Sequence, residues 1–183
     1  MINLSLSKNS INEVKNKFIN IKKNIPKVNY YFMKVSCRWI SKEANTILDN
    51  SLNFQEINTA IRTSWSIQTE SVNKVRLVNT DDVSAYVEFG TGQVGEQNPH
   101  IASSSANYRY NVPSSKKKEN KLTGEINWTF KLPNGNYLTF NGYVGKAFLY
   151  KAFRKYVDSK IYEKIYEKCF LEINKEFLWY DRY

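Results

Sequence analysis

The sequence has one histidine and two cysteines in 183 residues, and each shortage removes a class of function. A single His100 excludes every site that needs two imidazoles, so His-rich zinc centres, the HExxH helix and paired-His iron sites fail on counting. Cys37 and Cys169 each lack a second Cys or a His at ligand spacing, so they build neither a disulfide framework nor a metal site. That usage points to a reducing compartment. No apolar run approaches the roughly 20 residues that span a bilayer. The opening MINLSLSKNS has no charged-then-apolar leader with a cleavage site, so neither a membrane protein nor an exported one is expected.

What is present is globular: 42% hydrophobic, 15% aromatic and 24% charged residues. The length predicts one domain over 1–183. The formal charge of +10 suggests nucleic acid, but composition discounts it. Of 27 basic residues 21 are Lys and 6 are Arg, and Asn occurs 22 times, the bias of an AT-rich genome. Distribution says more: residues 1–45 hold 9 basic and 2 acidic side chains (net +7), residues 46–183 hold 18 and 15 (net +3).

The basic part reads as a helical region over about 8–50. Ser10 or Asn9 caps a first helix in which Ile11, Val14, Phe18, Ile21 and Ile25 recur at helical steps until Pro26 stops it, with Lys15, Lys17, Lys22 and Lys23 opposite. A second helix runs from about Val28 to Leu48 and a third from Phe54 to Ile67. The pattern then turns β-like. Val72–Val78 and Val83–Phe89 read as strands joined by a turn at Asn79–Asp82, the second alternating Val83, Ala85, Val87 and Phe89 against Ser84, Tyr86 and Glu88.

A polar, Gly-, Ser-, Asn- and Lys-rich loop occupies about 90–124, and its length is that of a functional or disordered segment. Ile126–Phe130 and Tyr137–Phe140 form a second hairpin around Pro133–Asn136. A C-terminal helix covers about 146–179, with a bend or break expected near Ser159. The fold class is α+β: an antiparallel sheet of two hairpins packed against the N-terminal helices and a long C-terminal helix, with a long polar loop.

No constellation carries strong chemistry. His100 could serve as base for Ser103, Ser104 or Ser105, but a triad needs a rigid base oriented by a carboxylate, and a solvated His is the simpler reading. GTGQVG at 90–95 lacks G-x-G-x-x-G spacing and a following helix, so Gly90 and Gly92 read as positive-φ turn residues, not a phosphate loop. Lys116, Lys117, Lys118 and Lys121, near Tyr108, Tyr110 and Trp128, could grip a phosphate backbone, although lysine runs are usually solvated loop. Glu88 and Asp158 make no recognisable carboxylate pair, and Glu88 reads as a polar-face strand residue or subunit contact. No catalytic residue, cofactor or metal site is expected, and the chain is not read as an enzyme.

Ser84-Ala85-Tyr86-Val87-Glu88-Phe89-Gly90-Thr91-Gly92 resembles the A-x-Y-V-E-F-G-T-G signature of the tail-component, or tail-completion, proteins of long-tailed bacteriophages. Thr59–Ser64 resembles the family's T-G-x-L-R-x-S segment and Ala147–Phe153 its P-F-L-x-P-A-L segment, with Ala60 in place of Gly, and Ala147 and Lys151 in place of prolines. The resemblance spans about 28–170. It implies an α+β subunit without catalysis, forming a ring of its own copies, hexameric or twelve-fold, at the head–tail junction of the virion. Its partners would be the head connector or head-closure protein on one side and the tail terminator or tail tube protein on the other, with DNA passing through the channel unrecognised and no membrane. Such a protein is made in the bacterial host cytoplasm. Tyr86, Glu88, Phe89, Gly90, Thr91 and Gly92 would lie at or near a subunit boundary, and Lys116, Lys117, Lys118 and Lys121 would face an acidic partner or DNA. The alternatives are a tail terminator capping the tube and, in a different class, a basic nucleic-acid-binding protein.

Overall fold

The computed structural model describes residues 8–49, 55–81, 83–91, 100–101, 117–119, 126–131, 134–140 and 142–175. Its backbone is one long helix α1 (Lys8–Asp49), then α2 (Gln55–Thr63), strands β1 (Trp65–Ser71) and β2 (Lys74–Asn79), and the short helix α3 (Ser84–Phe89). After these come β3 (Gly90–Thr91), β4 (Lys117–Glu119), β5 (Ile126–Lys131), β6 (Tyr137–Phe140) and β7 (Gly142–Val144), and the helices α4 (Phe148–Asp158) and α5 (Ile161–Asn174). The class is α+β. The described strands make three antiparallel sheets, β1-β2, β3-β7 and β4-β5-β6, so the two hairpins belong to separate sheets.

α1 is a correction: Pro26 lies inside it instead of ending it. Proline removes one donor of the i→i−4 ladder and crowds the preceding turn, yet a helix this long has enough other bonds and packing to continue through. On its C-terminal half, Val28, Ser36, Ala44 and Leu48 are buried at four- and eight-residue spacing, a line that drifts around the helix because about 3.6 residues make a turn. α4 and α5 pack along this half of α1. Asn24 Nδ2 donates to Asn174 Oδ1 (3.1 Å), the rings of Phe32 and Tyr166 are 5.4 Å apart, and those of Trp39 and Tyr156 5.7 Å. Early α1 residues thus face late α5 residues, and the packing is antiparallel. Ser36 Oγ and the Tyr156 hydroxyl share a buried 2.6 Å hydrogen bond in the same interface.

The expected C-terminal helix is two helices. Lys160 takes a left-handed φ of 53°, and Ser159 and Lys160 donate their N–H groups to Lys155 and Val157 carbonyls, closing α4 before α5 starts. Residues 176–179 of the expected helix lie outside the described residues.

The first hairpin is a correction: Lys74–Asn79 pairs not with Val83–Phe89 but with the preceding Trp65–Ser71 around a turn at Val72–Asn73, Trp65 opposite Asn79 and Ile67 opposite Leu77, with a register shift between Thr69 and Ser71. Residues 65–67, read as the end of a helix, are strand; α2 stops at Thr63. The second hairpin is as expected, pairing Trp128 with Phe140 and Phe130 with Leu138, and Lys117–Glu119 adds a third strand along β5. A core of Ala44, Leu48, Ile61, Val87, Phe148 and Ala152 joins α1, α2, α3 and α4. Fully burying a Leu, Ile or Phe stabilises by about 1.5–3 kcal/mol, so this cluster fixes how the four helices meet.

Candidate functional site

The motif Ser84–Thr91 is the site to build. Alternation predicts a strand over Val83–Phe89; the chain instead forms α3, and the correction has a local cause. Asp81 organises the start: Oδ1 accepts the Val83 N–H at 2.8 Å, and its carbonyl accepts the Ser84 N–H at 3.1 Å and the Ser84 hydroxyl at 2.7 Å. Three consecutive residues, Tyr86, Val87 and Glu88, are buried, which a strand with one wet face cannot provide. Gly90 ends the helix at φ 85°, a conformation open to glycine, and pairs with Val144 as the chain enters β3.

Glu88 is the centre of the arrangement. It is 3% exposed, and its carboxylate sits on the first turn of α4: Oε2 accepts the Leu149 N–H at 2.8 Å and Oε1 the Tyr150 N–H at 3.0 Å. Those N–H groups have no partner within their own helix, and the helix dipole favours negative charge there. His100 Nε2 lies 3.3 Å from Oε1, and the imidazole is held between the rings of Phe89 (5.2 Å) and Tyr150 (5.5 Å). The reading of His100 as solvated is therefore corrected, since it is 7% exposed. Glu88 is likewise a buried helical residue and not a polar-face strand residue.

Backbone contacts tighten the same junction. The Lys146 N–H donates to the Val87 carbonyl at 2.7 Å and the Ala147 N–H to the Glu88 carbonyl at 3.0 Å. Gly145 is needed for this approach, because a Cβ there would fall 2.5 Å from the Phe89 carbonyl carbon and 2.6 Å from the Glu88 oxygen. Ala147 takes φ 51° at the start of α4, a region closed to the proline of the resembled pattern.

Of the other candidate residues, Tyr86 is 3% exposed, Phe89 is half-buried, and Thr91 pairs with Tyr143 in β3-β7. Lys117 and Lys118 lie on β4 opposite Trp128 and Asn127. Gly92, Lys116 and Lys121 lie outside the described residues, as do Ser103, Ser104 and Ser105. The structure gathers Tyr86–Thr91 with His100 and Gly145–Tyr150; the lysines belong to a different sheet. The roles of Gly145, Leu149 and Tyr150 carry no sequence signal, because the clasp uses the missing side chain of Gly145 and the backbone N–H groups of Leu149 and Tyr150.

Chemically, a buried carboxylate bonded to two backbone N–H groups and an imidazole suits a structural clasp between α3 and α4. Among the described residues no group of three or more His, Cys, Asp or Glu side chains could hold a metal ion, and no helix is long and apolar enough to cross a membrane. The chain matches no family model, no curated protein and no solved structure.

Proposed function

We propose that the chain is a structural subunit of the neck of a long-tailed bacteriophage particle, joining the tail tube to the head connector as a tail-completion ring component. The observation that carries this reading is the convergence of the three segments that resemble that family. Thr59–Ser64, Ser84–Gly92 and Ala147–Phe153 are far apart in sequence, yet Ile61, Val87, Phe148 and Ala152 pack in one core and Glu88 clasps the first turn of α4. Residues that share a motif by chance have no reason to share a core.

In this role the motif acts from inside the subunit. Tyr86 and Glu88, buried within one chain, set the angle between α3, α4 and β3; Phe89 and the strand leaving Gly90 carry that geometry toward a neighbouring copy. Ring contacts are heterologous, so two different surfaces of each subunit must be fixed relative to each other, and a rigid junction serves that need. The role requires no catalysis. The test is depletion of the chain during particle production: DNA-filled heads and finished tails should accumulate unjoined in electron micrographs, and normally joined particles would refute the reading.

A nucleic-acid role in place of this one is favoured by a single observation, the net +7 of residues 1–45. It predicts duplex-DNA affinity that falls steeply with salt.

A further inference from the structure

The apolar residues of α1 follow alternating three- and four-residue steps along most of its length. Ile11, Val14, Phe18, Ile21 and Ile25 lead into Val28, Phe32, Val35 and Trp39, the a/d seam of a helix shaped to lie along another helix. The second half of the seam has its partner. Val28 is fully buried, Phe32 meets Tyr166, and Trp39 meets Tyr156. Among the described residues this coverage stops where Asn24 bonds Asn174, the last residue of α5.

Toward the N-terminus no other described element covers the seam. Ile11 is 51% exposed, Phe18 67% and Ile25 39%, three residues seven apart on one line. At its C-terminal end it adjoins a groove of 760 Å3 along the α1–α5 contact, lined in part by Tyr31, Val35, Ile165, Cys169 and Ile173. The flanks are basic. By heptad position Lys8, Lys15, Lys17 and Lys22 stand beside the seam, and of the lysines read as opposite it only Lys23 is, a correction to that reading. Residues 8–27 hold six Lys and one Glu, net +5. That one acid, Glu13, pairs with Lys17 at 3.2 Å.

These lysines decide what covers the seam. A second copy would set lysine against lysine at the flanking positions, which opposes pairing. A bilayer would accept the charge, but the same seam already holds a helix four turns further along, and its geometry is continuous. We propose that the N-terminal half of α1 is a docking surface for an acidic amphipathic helix of another protein, laid in line with α5 with its apolar side on Ile11, Phe18 and Ile25 and its carboxylates toward the lysines. This inference stands apart from the neck reading, since it uses only the seam and its charge.

The test uses the full chain and two labelled synthetic peptides of three heptads, both with Leu at a and d, one with Glu and the other with Lys at e and g. Fluorescence anisotropy should show the Glu peptide binding at least about tenfold more tightly, a difference of about 1.4 kcal/mol. Phe18→Asp, and separately Ile11→Asp, should weaken it about tenfold or more with the circular dichroism spectrum unchanged. Equal binding of the two peptides, or of neither, overturns the proposal. So does self-association of the free chain that Phe18→Asp abolishes, or binding that appears only after residues 176–183 are removed. Phe18-dependent binding to 3:1 phosphatidylcholine–phosphatidylserine vesicles without binding of the Glu peptide overturns it in favour of a membrane surface.

Discussion

The carboxylate of Glu88 accepts a 2.8 Å hydrogen bond from the backbone N–H of Leu149, a residue 61 positions away. The bond links the short helix that carries the central motif to the helix that begins the C-terminal third. It makes a side chain of one element the cap of another.

Removing that cap has a predictable cost. Glu88→Ala leaves the N–H groups of Leu149 and Tyr150 without their acceptor in a buried site, and a loss of about 2–4 kcal/mol is expected. Glu88→Gln keeps one acceptor oxygen but turns an amide donor toward the other N–H, so a smaller loss of about 1–2 kcal/mol is expected. Urea unfolding followed by circular dichroism measures both. An Ala variant within about 0.5 kcal/mol of the parent would remove Glu88 from its structural role.

Gly145→Ala should be worse tolerated than its size suggests. The new Cβ would lie 2.5 Å from the Phe89 carbonyl carbon, 2.6 Å from the Glu88 oxygen and 2.7 Å from the Phe89 oxygen, all of them backbone atoms. We expect a loss of at least about 3 kcal/mol, because the junction must open to accept the methyl group. Gly135→Ala is the control: it meets no atom within 4 Å and bears only the strain of φ 87°, about 1–2 kcal/mol. Thermal unfolding of the two variants side by side decides the order.

Ser36 and Tyr156 should prove energetically coupled. Their 2.6 Å bond is buried between α1 and α4, so Ser36→Ala or Tyr156→Phe each strands a hydroxyl partner at about 1–2 kcal/mol, and a double-mutant cycle should return a coupling of about 0.5–1.5 kcal/mol. Burial pushes the Tyr156 hydroxyl up from its ordinary range, with the Ser36 bond opposing, and burial raises the Cys37 and Cys169 thiols as well. A group raised by folding holds its proton more tightly in the folded chain. Its contribution is whole below the unfolded value and is lost as pH rises through the folded one. The urea midpoint should therefore fall as pH climbs above about 8.5, where thiols begin to ionise, and further above about 10. Tyr156→Phe should flatten the upper part of that fall; an unchanged slope would contradict this.

Pro26→Ala should stabilise the chain. Position 26 lies inside α1, where proline supplies no N–H to the carbonyl four residues earlier, and alanine restores the bond without a new side-chain clash. A gain of about 1–3 kcal/mol is expected in urea unfolding. A loss would mean that a kink at Pro26 is needed for α1 to meet α5.

The sequence shows its long-period features and hides its short ones. The α1 stripe, the Trp128–Phe140 hairpin and the break near Ser159 were all legible, because the stripe repeats over many residues, the hairpin is marked by Pro-Asn-Gly-Asn, and strict four-residue spacing drifts around a long helix until it must bend or break. Val83–Phe89 was not, since seven residues fit a strand period and about two helical turns equally well. The Asp81 turn ahead of the helix was the available clue, followed by Gly90 as an exit, but the deciding fact is tertiary: three neighbouring residues are buried together against α4. Pro26 misled for the reverse reason, a strong local stop overridden by helix on both sides. The Glu88 clasp was invisible because its partners are backbone N–H groups and a histidine in a polar stretch. Its motif could be seen, but not its mechanism.

The neck assignment is tested most directly by counting copies of the chain against the portal protein in purified, DNA-filled particles by quantitative mass spectrometry. The account predicts a copy number equal to the portal's or half of it, as a ring at the head–tail junction requires. Absence of the chain from finished particles would contradict it.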